Sequence, residues 1–267
     1  MWNGNYSFFD YKYNIEGYSG QDYDGFGRTF YMWFALISIA LLVILLRNLK
    51  EKYVNRYIKV MAVVMPVLEI TKVTWESIWD VRTGRGFNWG GLLPIYTCSL
   101  FMYCMLLAAF TKGKVRDWCL CWIATIGFVG GISNVIFIRG LNWYPCWTFG
   151  AFYSMFFHWV MTFTAMLIVV TRLRRFRFSD IWRSFGLHVI FSAPVIAIDF
   201  IRDWDYMQYK DAGGVPLFED LIEKLQKAGQ GWLSVPIMLA VYLALTAALM
   251  ALYIGLQKLI SVCKKEK

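Results

Sequence analysis

Apolar residues in this chain gather into long unbroken runs separated by short polar stretches. Seven runs stand out, at about 30–46, 57–79, 91–111, 117–138, 147–171, 184–201 and 232–257. Each approaches the ~20 residues an α-helix needs to cross the hydrocarbon core of a bilayer. The runs are continuous rather than alternating, which argues against a closed β-barrel. The pattern therefore predicts an all-α, polytopic membrane helix bundle with about seven transmembrane helices. Residues 1–29 are polar and aromatic, with Asp10, Glu16, Asp22 and Asp24, and lack the basic start and apolar stretch of a secretory signal. They read as an extracytoplasmic or interfacial arm, and residues 30–267 as a single transmembrane domain. Its longest connection, the outer loop at 202–230, holds a turn signal at Asp211-Ala-Gly-Gly-Val-Pro216. Leu217, Leu221, Ile222 and Leu225 then share one face, which predicts a short amphipathic helix lying on the outer surface.

Composition agrees: 58% of the 267 residues are hydrophobic and 19% aromatic. Charge adds an orientation. Seventeen of the 27 Lys and Arg residues lie in Arg47–Lys59, Lys112–Arg116, Arg172–Arg183 and Lys258–Lys267. With seven spans these four segments share one side, so the positive-inside rule puts the N-terminus outside and the C-terminus in the cytoplasm. The net charge of +9 is then mostly topological, facing anionic headgroups, and gives no support to a nucleic-acid partner. Membrane phospholipids are the expected partners. The six cysteines form no disulfide framework, Cys119-Leu-Cys121 is not a CxxC pair, and no cluster has zinc-ligand spacing. A structural metal is not expected.

Several polar residues inside the runs are candidates for chemistry. Glu69, Lys72, Glu76 and Asp80 are spaced three, four and four apart, which aligns them on one helix face. Ionisable groups at membrane depth are costly unless paired or wet, so this face should look into the bundle or a polar cavity. His158, one of two histidines, lies well inside the fifth run, where it reads either as an interhelical hydrogen-bonding group or as a general base. His188 resembles an ordinary packing or interfacial residue. Cys98 follows Pro94 by one turn in Gly91-Leu-Leu-Pro-Ile-Tyr-Thr-Cys98-Ser, just inside a predicted helix start. There the helix dipole favours the thiolate, although a lone cysteine is often only a small apolar core residue. At about 1.5 Å per helical residue, Cys98 and His158 both fall in the outer half of the membrane. Asn134, Asn142 and Asp199 read as cavity-lining groups or, equally, as caps and interhelical hydrogen bonds. The tryptophans and tyrosine at Trp75, Trp79, Trp89, Trp143, Tyr144 and Trp147 fit an interfacial belt rather than a ligand cage.

The chain resembles the YwaF-like family of bacterial integral membrane proteins, whose vertebrate relatives are transmembrane phospholipid acyltransferases. The family pattern has a Leu-Pro-Leu-His-Leu-Cys run at a span start and a histidine in a later span. Leu93-Pro-Ile-Tyr-Thr-Cys98 and His158 fill these places, and Asp205-Tyr-Met207 with the following Gly-Gly-Val-Pro resembles the loop before the last span. One departure stands out: Tyr96 occupies the place of the family histidine, and offers only a hydroxyl with an ordinary pKa near 10. The resemblance implies a bacterial inner-membrane (plasma-membrane) protein that moves a fatty acyl chain between phospholipids or lysolipids. Cys98 would form the thioester, His158 would be the base, and Tyr96 or backbone amides would hold the oxyanion. No diffusible cofactor is required, and an outward-facing Cys98 disfavours cytosolic acyl-CoA as donor. The competing expectation is a small-solute transporter, or a solute-binding membrane subunit, using the Glu69/Lys72/Glu76 face, though no inverted repeat or paired broken helices are visible. A seven-span sensor ranks third, without a signalling domain to support it.

Overall fold

The structure, a computed structural model, describes residues 6–12, 25–87, 93–137, 144–207, 209–210 and 216–263. Trp89, Asn142, Trp143, the 211–215 turn and the acidic residues Glu16, Asp22 and Asp24 lie outside the described residues. All the described regular structure is helical. In chain order the helices are α1 (Gly25–Leu46), α2 (Glu51–Arg82), α3 (Leu100–Phe110), α4 (Gly113–Trp122), a π-helical turn (Ile123–Gly127), α5 (Phe128–Phe137), α6 (Phe149–Val170), α7 (Asp180–Arg202), α8 (Pro216–Lys227), a 3₁₀ turn (Gly231–Leu233) and α9 (Ser234–Cys263). Among the described residues five helical stretches are long and apolar enough to cross a membrane: Phe26–Leu46, Gly113–Phe137, Phe149–Val170, Asp180–Arg202 and Gly231–Leu259. The other two predicted spans are also helical. α2 carries several charges, and α3 is an apolar helix of 11 residues. The surface helix expected at 217–227 is α8, with Ile222 buried and Leu221 exposed.

The chain divides into two compact units, Met1–Pro94 with Phe128–Thr171, and Ile95–Gly127 with Arg172–Lys267. In the first, α6 is the central helix. It contacts α1, α2 and α5 and is buried over most of its length. Its tightest neighbour is α5, because Gly131 presents no side chain to it. A Cβ at Gly131 would stand 2.6 Å from Thr162 Oγ1 and 2.9 Å from Met161 Cβ. α1 instead leaves Phe26, Phe30, Trp33, Phe34, Ile37, Leu41, Ile44 and Leu45 exposed, the surface of a helix that faces lipid. The described part of the N-terminal arm lies across this unit. The indole N–H groups of Trp75 and Trp79 both donate to the Phe9 carbonyl at 2.8 Å, and Phe149 N–H donates to the Phe8 carbonyl. Those tryptophans tie down the arm, which makes them more than members of an interfacial belt.

In the second unit α4 packs on α3 and α7, and α7 packs on α9. The π turn follows Trp122 and packs on α9 and α7. Gly127 makes this wide turn possible. A Cβ there would meet the Trp122 ring at 3.3 Å and the Trp122 carbonyl oxygen at 3.4 Å. The basic end of α7 is fastened by Asp180, which is fully buried and accepts from Arg174 Nη2 at 2.9 Å, from Arg177 N–H at 2.9 Å and from Arg183. Arg174 also reaches Asp117 on α4 at 2.6 Å, and its carbonyl accepts from Gln257 of α9. The basic cluster at this helix end thus joins three helices of this unit.

Candidate functional site

Cys98 belongs to the second unit. It sits in a turn two residues ahead of α3, partly buried, so the helix starts later than Pro94 suggested. Residues 96–99 close successive turns instead, with Leu100 N–H on the Tyr96 carbonyl at 3.3 Å and Phe101 N–H on the Cys98 carbonyl at 3.0 Å. Thr97 is drawn toward Met207, its hydroxyl 3.3 Å from Sδ and 3.5 Å from the carbonyl, and Ser99 makes no side-chain cap bond to α3.

The segment after α7 is held against this turn. Asp203 caps α7 in the left-handed conformation, at φ 52°. Asp199 accepts from the N–H groups of Tyr206 (3.0 Å) and Met207 (3.3 Å), and Asp205 does the same for Tyr209 and Lys210. Asp199 thus anchors the loop that follows α7 through that loop's N–H groups. The ring of Tyr96 meets Tyr206 edge-on at 5.1 Å while remaining partly exposed. On the other side of the turn, Tyr242 of α9 makes a side-chain hydrogen bond with Thr97 and lies within electrostatic reach of Cys98.

Behind Tyr242 lies a residue that looked unremarkable in the sequence. His188 is fully buried, lies against Tyr242 with ring centroids 4.5 Å apart and the planes tilted by 50°, and places Nε2 2.8 Å from the Tyr209 hydroxyl. It belongs to a buried polar stripe on α7, Asp180, Ser184, His188, Ser192 and Asp199, four residues apart over its first four members. That spacing was a readable signal. The next member below His188, Ser184, pairs with Thr125 of the π turn at 2.6 Å.

The first unit holds the other candidates. Lys72 and Glu76 pair at 2.8 Å, as their spacing required. The tyrosines on the carboxylates were not foreseen: Tyr153 of α6 donates to Glu69, and Tyr144 donates to Glu76. Burial, then Glu76 itself, holds the Tyr144 phenol well above its ordinary pKa, so it stays a donor. Asp80 is buried as well. Asn134 Nδ2 bonds back to the Gly130 carbonyl at 3.0 Å along its own helix. His158 is buried on α6 with Nδ1 2.7 Å from the Ser154 carbonyl. A carbonyl only accepts, so Nδ1 carries the proton and Nε2 is a bare lone pair. Nε2 has no hydrogen-bond partner among the described residues. Cys98, Tyr96 and Asp199 thus fall in one unit, and His158, Glu69, Lys72, Glu76 and Asn134 in the other.

Apolar helices in this number, joined by basic turns and enclosing buried polar groups, define a multi-pass helical membrane protein. The chain belongs to the TMEM164 family, whose match extends over residues 25–254. Comparison with curated proteins and with solved structures finds no match.

Proposed function

We propose that this protein is an integral membrane acyltransferase that moves a fatty acyl chain between phospholipids or lysolipids through a thioester at Cys98. The observation that carries the reading is the setting of Cys98: a partly accessible thiol in the turn ahead of α3, beside the Thr97 and Tyr242 hydroxyls. A helix N-terminus favours the thiolate, and hydroxyl and amide donors suit the oxyanion of a tetrahedral intermediate. The thiolate attacks the ester carbonyl of a donor lipid, the C–S bond forms and the C–O bond breaks, and the proton taken from the thiol passes to the leaving oxygen to release a lysolipid. The resemblance to the YwaF-like family assigns the thiol proton to His158, whose Nε2 is an acceptor without a hydrogen-bond partner among the described residues. The finer likeness to YwaF-like proteins supports the same assignment, and Tyr96 takes part through its hydroxyl where that family has an imidazole. We further place the protein in the bacterial plasma membrane with seven spans, α2 and α3 included, N-terminus outside and C-terminus cytoplasmic.

Solute binding or transport through the Glu69/Lys72/Glu76 face has weaker support, because both carboxylates already accept a tyrosine hydroxyl and Lys72 is paired. The two readings separate in nanodiscs carrying a phospholipid with a labelled acyl chain and an unlabelled lysolipid. The acyltransferase reading expects label on the lysolipid from wild type, none from Cys98→Ala, and retained transfer in Glu76→Gln. Equal transfer by wild type and Cys98→Ala would overturn it.

A further inference from the structure

His188 is buried, lies in the same unit as Cys98, and has no role in the reaction as written above. Its protonation pattern follows from its neighbours. Ser192 donates its hydroxyl hydrogen to the His188 carbonyl at 2.5 Å, so Ser192 Oγ is left as an acceptor. The Tyr209 hydroxyl makes a side-chain hydrogen bond with Ser192 and also lies 2.8 Å from His188 Nε2. Both hydroxyls are satisfied only if Tyr209 donates to Ser192 and accepts from an Nε2–H of His188. Burial, then Tyr242, raises the Tyr209 pKa, consistent with a phenol that keeps its hydrogen. The proton is thereby fixed on Nε2, and Nδ1 becomes a bare lone pair. Nδ1 is buried without a hydrogen-bond partner among the described residues.

An imidazole held in this tautomer by a chain of two hydroxyls is a ready proton acceptor awaiting a donor. Tyr242 links it to the Cys98 turn, its ring 4.5 Å from the His188 ring and tilted by 50°, its side chain bonded to Thr97 next to Cys98. Nδ1 is therefore suited to a group lying alongside the Tyr242 ring rather than to the thiol itself. We propose that His188 Nδ1 binds the free hydroxyl of the acceptor lipid, a lysophospholipid or another membrane alcohol, and takes its proton in the second half of the reaction. This inference rests on the acyltransferase reading. The hydroxyl oxygen attacks the thioester carbonyl as its proton passes to Nδ1. The C–S bond breaks, and the departing Cys98 thiolate recovers that proton, so one acyl group moves from sulfur to oxygen and one proton from oxygen to sulfur. The two histidines then divide the work, one serving each half-reaction.

The test uses the full-length protein in nanodiscs with a labelled donor phospholipid and a lysophospholipid. Glutamine can keep the hydrogen bond to Tyr209 but offers no basic nitrogen. His188→Gln is therefore expected to form the Cys98 acyl adduct at the wild-type rate and to pass it to the lysolipid about 100-fold more slowly, the range of a lost general base. Transfer at the wild-type rate would overturn the proposal, as would loss of adduct formation together with transfer. The chain has two histidines, so ¹⁵N-histidine NMR of the wild type and of His158→Gln assigns both. The expected spectrum has opposite tautomers, hydrogen on Nδ1 for His158 and on Nε2 for His188, with the His188 Nδ1 resonance moving when lysolipid is added. Hydrogen on Nδ1 of His188, or no movement with lysolipid, would contradict the binding step even if His188→Gln misfolds. If wild type forms no Cys98 adduct, the acyltransferase reading fails first, and the lysolipid titration still decides whether the alcohol binds.

Discussion

Tyr144 and Tyr153 show how single hydroxyls make a charged helix face tolerable inside an apolar unit. Each donates to one carboxylate of α2, Glu76 and Glu69 respectively, while Lys72 neutralises part of the remaining charge. Replacing either tyrosine by phenylalanine leaves a half-buried carboxylate short of a donor. The expected cost is about 1–3 kcal/mol, read as a lower unfolding midpoint in detergent for Tyr144→Phe and Tyr153→Phe but not for an exposed control such as Tyr53→Phe. The four-residue spacing of the acidic and basic groups on α2 was legible in the chain, and so was their need for partners. The partners were not, because Tyr144 and Tyr153 lie 68 and 84 residues from the carboxylates they serve. Asp199 illustrates the same limit. Its position near a helix end was readable, whereas its hold on the Tyr206 and Met207 N–H groups depended on the path of residues 203–207, which pattern alone does not fix. The place of Cys98 ahead of α3 rather than inside it is equally hidden from the pattern, since the pull of Met207 on Thr97 is also nonlocal.

At the scale of helices, close approach and buried charge decide the contacts. α5 reaches α6 through Gly131, and Gly131→Ala would drive a methyl into Thr162 and Met161. Overpacking of this kind costs about 1–3 kcal/mol, so the variant should unfold earlier in detergent while Gly186→Ala, with its nearest foreign atom at 3.9 Å, should not. At the head of α7, Asp180 answers Arg174 and Arg183 from a fully buried position. Asp180→Ala strips those guanidinium groups of a buried partner, an expected loss of about 3–5 kcal/mol, softened by the second pairing of Arg174 with Asp117. Wild-type stability in that variant would show that Arg174 and Arg183 do not depend on Asp180. The long helices were legible because an apolar run near 20 residues has few other uses. The start of α3 and the division of the 113–137 helix by a π turn were not, since both follow from packing around Thr97 and Trp122. The polar stripe of α7 was legible and was passed over, because each member alone resembles ordinary packing.

For the whole molecule, charge asymmetry and the Cys98 chemistry make independent claims. On the proposed orientation a green fluorescent protein fused after Lys267 fluoresces, and alkaline phosphatase fused there is inactive; the reverse result would invert the topology without touching the enzymology. The central claim is covalent acyl transfer, and intact-protein mass spectrometry addresses it most directly. Purified protein in nanodiscs, given phospholipid with a tagged acyl chain, is predicted to gain the mass of one acyl group in a hydroxylamine-labile bond. Cys98→Ala should gain nothing, and His158→Gln should gain it much more slowly. A wild-type mass unchanged across several phospholipids and a lysolipid, or an adduct that persists in Cys98→Ala, would contradict the account.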